Sequence, residues 1–212
     1  MSHTFSNLHV IDHPLIRQKL CFLRAKATGS LNFRMLINEI AALMVYEVTR
    51  NLPVEERPVE TPLEKTTGHV LASPVTLVPI LRAGLVMCDG IRDLIPNARV
   101  GHIGIYRDHE TFQPIRYYLK LPPDIAETEI FIIDPMLATG GSAAEAIDCV
   151  KEAGGSSICF VCLVAAPEGI RLLEKRHPEV LVYTAALDRQ LNKNAYILPG
   201  LGDAGDRIYG TQ

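Results

Sequence analysis

The sequence predicts an α/β protein: a central, mostly parallel sheet with helices on both faces, joined to a helical N-terminal segment, a β-arm and a C-terminal glycine-rich loop. Three observations predict it. From Pro74 onward, short apolar and β-branched runs alternate with stretches of helical periodicity, a pattern that favours crossover connections between parallel strands. The run Ile158-Cys159-Phe160-Val161-Cys162-Leu163-Val164 is apolar throughout, as strands covered on both faces are. The 212 residues suit one domain, and a chain of that size hides roughly 70% of its unfolded surface, so its core needs no metal or disulfide staples.

The elements follow in order. Ile37, Ile40, Ala41, Met44 and Val48 line one face of a helix over about 31–50, and Leu36 and Leu43 widen that face enough to suggest cover on a second side. Pro53 and Pro58 end the pattern. Thr61-Pro62-Leu63-Glu64 then reads as a helix start, with a hydroxyl cap, a proline in the first turn and a glutamate three residues after the cap. Strands are expected at Val75–Leu81, Val100–Tyr106, Glu129–Asp134, Ser157–Ala165 and Val180–Ala185, and helices at Gly84–Leu94, Gly141–Ala153 and Glu168–Arg176. The polar stretch 106–122 breaks the alternation and reads as an arm whose second half carries Tyr117 and Tyr118. One domain is expected, with an N-terminal segment of about 1–73 and a core of about 74–212.

Composition narrows the function. A net charge of -3 supplies no broad positive field for a nucleic-acid backbone or an anionic membrane, so neither partner is expected and any anionic ligand must be met locally. The longest apolar run, Ile158–Ala166, is too short for a membrane span, which needs about 18 residues. Five irregularly spaced cysteines and no basic lead into an apolar run after Met1 point to a reducing, cytoplasmic setting.

Two strand ends carry the chemistry. The strand Ile130-Phe131-Ile132-Ile133 runs into Asp134-Pro135-Met136-Leu137-Ala138-Thr139-Gly140-Gly141-Ser142, where glycines let backbone N–H groups approach a ligand and a helix start adds about half a positive charge. Ser142 with Glu145 matches a capping box for that helix. Val78-Pro79-Ile80-Leu81-Arg82-Ala83-Gly84-Leu85 repeats the design with a fixed cation at Arg82. Side by side in a parallel sheet, the two ends would form one crevice for a ligand with phosphates at both ends. Three other motifs fail on context. Gly200-Leu201-Gly202-Asp203-Ala204-Gly205 comes too late in the chain for a dinucleotide fingerprint and reads instead as a loop shaping a pocket. Cys159 and Cys162 would point to opposite faces of a strand, so they read as buried hydrophobes rather than zinc or redox groups. The seven histidines are scattered.

With these two loops, Ala165-Ala166-Pro167-Glu168-Gly169 and Pro199-Gly200-Leu201-Gly202-Asp203-Ala204-Gly205-Asp206-Arg207 complete a set of four motifs in which the chain resembles the uracil phosphoribosyltransferases, most closely from about Val75 onward. The resemblance implies transfer of the 5-phosphoribosyl group from 5-phosphoribosyl 1-diphosphate to uracil, giving UMP and diphosphate, with Mg2+. It implies that Asp134, Pro135, Met136, Leu137, Ala138, Thr139, Gly140, Gly141 and Ser142 hold the ribose hydroxyls and 5-phosphate of the donor, and that Arg82 and Arg107 hold its diphosphate. Ile197, Gly202, Asp203 and Ala204 would read uracil, largely through main-chain groups. Asp203 would also reach the donor through the metal or its waters, and Asp203 and Arg107 would stand nearest the reacting atoms. The Asp134-Pro135 step, where many phosphoribosyltransferases carry two adjacent acids, argues against direct metal ligation by this loop. A homodimer or larger homo-oligomer is expected, and GTP activation is left open. The rival readings are a nucleotide-sensing RNA-binding regulator and a phosphoribosyltransferase for another base.

Overall fold

The computed structural model describes residues 5–107 and 114–211. In chain order these form β1 (Leu8–Val10), α1 (Pro14–Arg24), α2 (Ser30–Val48), β2 (Val54–Glu60), β3 (Lys65–Leu71), β4 (Val75–Leu81), α3 (Gly84–Arg92), β5 (Arg99–Val100), β6 (His102–Arg107) and β7 (Pro114–Lys120). A 3-10 turn (Ile125–Glu127) leads to β8 (Glu129–Ile133), β9 (Met136–Leu137), α4 (Gly141–Glu152), β10 (Ile158–Ala165), α5 (Pro167–Arg176), β11 (Leu181–Leu187), β12 (Gln190–Leu191), β13 (Ile197–Leu198) and α6 (Ala204–Tyr209).

Along the main sheet the strands run β1-β11-β10-β8-β4-β6-β7, with β5 and β9 attached to β4 and β10. Every pairing on this path is parallel except β6 with β7, the two halves of the arm. The period of two along each strand divides the core. Leu77, Phe131, Ile133, Val161 and Leu163 face one cluster shared with α1, α2 and α3. Val78, Ile132, Phe160 and Cys162 face the other, shared with α4 and α5. The sheet therefore has helices on both faces, and all five predicted strands and all three predicted helices of the core are present within two residues at each end.

Cys159 joins the first cluster and Cys162 the second, as residues three apart on a strand must. Burial raises both thiols, Cys162 to about 12, so they stay protonated and act as apolar filler.

The N-terminal third differs from expectation in two places. α1 lies outside the periodic stretch about 31–50; its start is fixed by Pro14 in the first turn and by His13, whose Nδ1 accepts from the Leu15 N–H at 3.2 Å. The helix expected from Thr61 does not form. Thr61 instead closes the β2–β3 hairpin: its Oγ1 accepts from the N–H groups of Leu63 (3.2 Å) and Glu64 (3.0 Å), while its own N–H donates to the Glu64 carbonyl at 3.0 Å. The hydroxyl makes the same local bonds in a turn as in a cap, and the sequence after it, Lys65-Thr66-Thr67-Gly68-His69-Val70, lacks a helical apolar stripe to extend into. The described part of this segment, 5–73, is thus two helices, an edge strand and a separate two-stranded ribbon.

Candidate active site

β4 and β8 are parallel neighbours, with Pro79 opposite Ile133, so Arg82 and Asp134 emerge at adjacent strand ends. After Asp134 the chain makes a short β9 beside Val164 and Ala165, and then turns into α4. The turn is made by Gly140, which caps the helix in the left-handed region at φ 85°. The capping box expected at Ser142 and Glu145 is absent because the helix begins at Gly141, leaving Ser142 inside its first turn with no side-chain cap. The N–H groups of that first turn have no intrahelical partners and are available to an anion. A methyl group on Gly140 would lie 2.9 Å from the Gly169 carbonyl oxygen, and one on Gly169 would lie 2.6 Å from that of Ala138. The two glycines interlock. This is the physical role of the Ala165–Gly169 motif: it seats the first turn of α5 directly under the Asp134–Ser142 loop.

Asp134 is half-buried, and its Oδ1 accepts from the Met136 N–H at 3.3 Å. Burial, with a smaller push from the charge of Asp203, raises its carboxyl to about 7, against the lowering effect of the Met136 N–H. The charge of Asp203 is felt at Asp134 because the C-terminal loop lies near the β8 strand end. Asp203 is exposed and caps α6, accepting from the Asp206 N–H at 3.0 Å. At the other end of α6 the Tyr209 hydroxyl donates to the Arg82 carbonyl at 3.1 Å, and the Arg82 guanidinium lies 5.3 Å from the Tyr209 ring centre. One short helix therefore ties the C-terminal loop to both strand ends. Among the described residues no carboxylate is paired with the Arg82 guanidinium, and the Leu81–Arg82 peptide is cis.

The C-terminal loop leaves β13 through a cis Leu198–Pro199 peptide. Gly200 follows at φ 62°, and a methyl there would sit 2.2 Å from the Ile197 carbonyl oxygen, which no other residue could accept. Ile197 and Ala204 are each 3% exposed, so a ligand at this loop meets their main chain, whereas Gly202 and Asp203 are open. As expected of a loop that shapes a pocket, Pro199 to Gly202 line a cavity of about 460 Å³ with Arg24 and Arg207. That cavity does not include the Asp134–Ser142 loop, so it is a neighbour of the strand-end crevice and not the whole of it.

The structure thus brings together Arg82, the loop Asp134–Ser142 and Asp203. Ile197, Gly202 and Ala204 are tied to them through Asp203 and α6. Arg107 ends β6 opposite Pro114, but its side chain and the arm tip, 108–113, lie outside the described residues. Among the described residues no three His, Cys, Asp or Glu side chains group as a metal cage. Asp203, exposed beside the β8 strand end, is an oxygen donor of the kind that suits a magnesium ion held mainly by a ligand's own oxygens and waters. Sequence reasoning missed Tyr209, Arg24 and Asp188, whose contacts span more than a hundred residues and leave no local signal.

The family model described as uracil phosphoribosyltransferase matches residues 10–211, including the N-terminal part where the resemblance was weaker. The chain is 58% identical to the uracil phosphoribosyltransferase of Natranaerobius thermophilus over 208 residues, covering 98% of this chain and all of the relative. It is also 58% identical to that of Enterococcus faecalis, covering 96% and 98%. The solved structure of the AQ2163 protein from Aquifex aeolicus superposes with a TM-score of 0.92 at 35% identity, covering 97% of this chain and 99% of that one. A hypoxanthine-guanine phosphoribosyltransferase structure from Bacillus anthracis, at 10% identity and a TM-score of 0.51 over 75% and 80% of the two chains, shares the fold.

Proposed function

The chain belongs to the uracil phosphoribosyltransferase family, and from that premise we propose how its residues divide the reaction of uracil with 5-phosphoribosyl 1-diphosphate. The observation that carries the proposal is the crevice itself: a glycine-capped helix start and an exposed arginine with no carboxylate partner among the described residues, at adjacent parallel strand ends, with the Gly202–Ala204 loop beside them.

The N–H groups of the Thr139–Ser142 turn receive the donor's 5-phosphate. Asp134 accepts from the ribose hydroxyls, which requires its carboxylate form. Arg82, with Arg107 from the arm, neutralises the diphosphate. Uracil is held by the main chain of Ile197 and Gly202 to Ala204, whose fixed donors and acceptors match its two carbonyls and N–H groups. The bond from uracil N1 to the anomeric carbon forms as the bond from that carbon to the diphosphate oxygen breaks. The electron pair leaves with diphosphate and the N1 proton passes to solvent water. Positive charge builds on the anomeric carbon, so the protein's work is to hold the two reactants in line and to stabilise the leaving anion. When bound, Mg2+ supplies further neutralisation at the diphosphate, with Asp203 reaching it through water.

Assembly belongs to the same proposal. A two-stranded hairpin is at best marginally stable alone in water, yet β2 is exposed at every residue and, among the described residues, pairs only with β3. An apolar groove of about 540 Å³ beside α2, lined by Leu15, Leu43, Tyr46 and Leu94 among others, supports a partner on this side of the helix. A second copy of this chain covers these surfaces, and light scattering will read a dimer or larger species.

Incubating the protein with labelled uracil, the donor and magnesium tests the reaction. UMP and diphosphate are expected in equal amounts; no UMP, or equal use of a purine, overturns the assignment.

A further inference from the structure

We propose that Arg24 and Asp188 are positioning residues for uracil: a half-buried ion pair that grips the backbone of Gly200 and so sets the Gly202–Ala204 loop against the base. The pair is bidentate, Arg24 Nη1 to Asp188 Oδ2 at 2.8 Å and Nη2 to Oδ1 at 2.7 Å. It also takes both polar groups of one loop residue: Arg24 Nη1 donates to the Gly200 carbonyl at 2.7 Å, and the Gly200 N–H donates to Asp188 Oδ2 at 2.9 Å. Each end is anchored elsewhere. Arg24 is the last residue of α1, and the Asp188 N–H donates to the Ala165 carbonyl of β10 at 2.8 Å. The Asp188 side chain is 5% exposed and that of Arg24 is 22%, so water competes weakly for these bonds.

The grip falls where the loop has least freedom of its own. Gly200 is the residue with φ 62° and no room for a side chain, two positions before Gly202. The next residue is held from the same side, since Arg207 Nη1 donates to the Leu201 carbonyl at 2.7 Å and to the Leu23 carbonyl, in the last turn of α1, at 2.9 Å. Gly202 itself is exposed, so its placement is inherited from Gly200 and Leu201. A purely structural ion pair could sit anywhere in the core; this one spends its hydrogen bonds on the residue that aims the loop.

The inference rests on Gly202–Ala204 reading uracil, and the test separates the two. Asp188→Asn breaks the bidentate pair: its amide oxygen can stand at the Oδ2 position and keep the Gly200 N–H and Arg24 Nη1, but its NH2 group then faces Arg24 Nη2 donor to donor, and the charge that holds Arg24 is lost. It is expected to raise KM for uracil about tenfold, with KM for the donor within about twofold of the parent. The double variant R24M/D188L removes the grip but replaces a half-buried ion pair by apolar groups, which commonly preserves stability; it is expected to melt near the parent and show the same selective rise. Arg24→Lys, which keeps the charge and one bond, is expected to fall between. Gly202→Ala, measured alongside, reports on base reading directly. If Gly202→Ala raises KM for uracil and the Arg24 and Asp188 variants do not, or if they raise both KM values in parallel with a lowered Tm, the positioning role is overturned while base reading stands. If none of the variants moves KM for uracil, base reading by this loop is itself overturned.

Discussion

The loop at the end of β8 and the loop before α6 meet at one crevice but are fixed by opposite means. Asp134–Ser142 is held chiefly through its backbone: a strand before it, a helix after it, β9 paired with β10, and Gly140 locked against Gly169. Pro199–Ala204 is held by side-chain bonds that cross the fold: Arg24 and Asp188 grip Gly200, Arg207 ties Leu201 to the Leu23 carbonyl of α1, and Tyr209 fastens the helix that follows to Arg82. A phosphate is bound by backbone N–H groups whose arrangement a strand, a glycine turn and a helix reproduce locally. A flat base with a particular donor and acceptor pattern needs a loop aimed to within a fraction of an ångström, and long-range bonds supply that aim.

The comparison breaks most visibly at Gly140. Gly140→Val puts a branched side chain at φ 85° and against the Gly169 carbonyl, and it is expected to lower kcat/KM for the donor about a hundredfold or more. KM for uracil should change little, as steady-state kinetics with each substrate varied will show. Equal loss for both substrates would mean that the two loops are not separable.

Next in size come the charges and the base. Arg82→Ala and Arg107→Ala are each expected to raise KM for the donor or lower turnover about tenfold, in line with the about 1.5–3 kcal/mol of a charge-assisted hydrogen bond; unchanged kinetics would remove that arginine from the site. On the other side, cytosine presents an amino group where uracil has a carbonyl, leaving a buried polar group unpaired at a cost of about 1–3 kcal/mol. Competition at equal concentration should therefore favour UMP by about five-fold or more, and equal use of cytosine would sharpen the comparison against main-chain reading.

The smallest effect is on stability. The Asp134 carboxyl titrates near 3.8 when unfolded and near 7 when folded. Between these values the folded chain holds a proton that the unfolded chain has lost, so this group's contribution, complete below pH 3.8, is lost as pH rises through 7. Asp134→Asn removes that loss. Because the carboxyl is only half-buried, the gain at pH 8 is expected to be about 1–2 kcal/mol, below the about 4 kcal/mol that a shift of this size allows. It should vanish near pH 4, and denaturant titrations at both pH values measure it. The same variant should lose affinity for the donor at pH 8, trading binding for stability.

Legibility in the sequence follows the same division. The alternating core, the strand-end acid and the Thr-Gly-Gly-Ser turn were readable because each is specified within about fifteen residues. Thr61 misled because its hydroxyl makes identical bonds in a hairpin turn and a helix cap. Ser142 misled because Gly140, in the left-handed region, moved the helix start two residues earlier than a serine cap would. Arg24 and Asp188, 164 positions apart, carried no pattern at all, and the tie from Tyr209 to Arg82 spans 127.

A structure with uracil and a non-reacting donor analogue bound together tests the division of labour most directly. The 5-phosphate is expected on the N–H groups of the Thr139–Ser142 turn, and uracil against the main chain of Gly202 to Ala204 with the Arg24–Asp188 grip on Gly200 intact. A phosphate seated away from that turn, or a base held by side chains with the Gly202 loop turned aside, would contradict it.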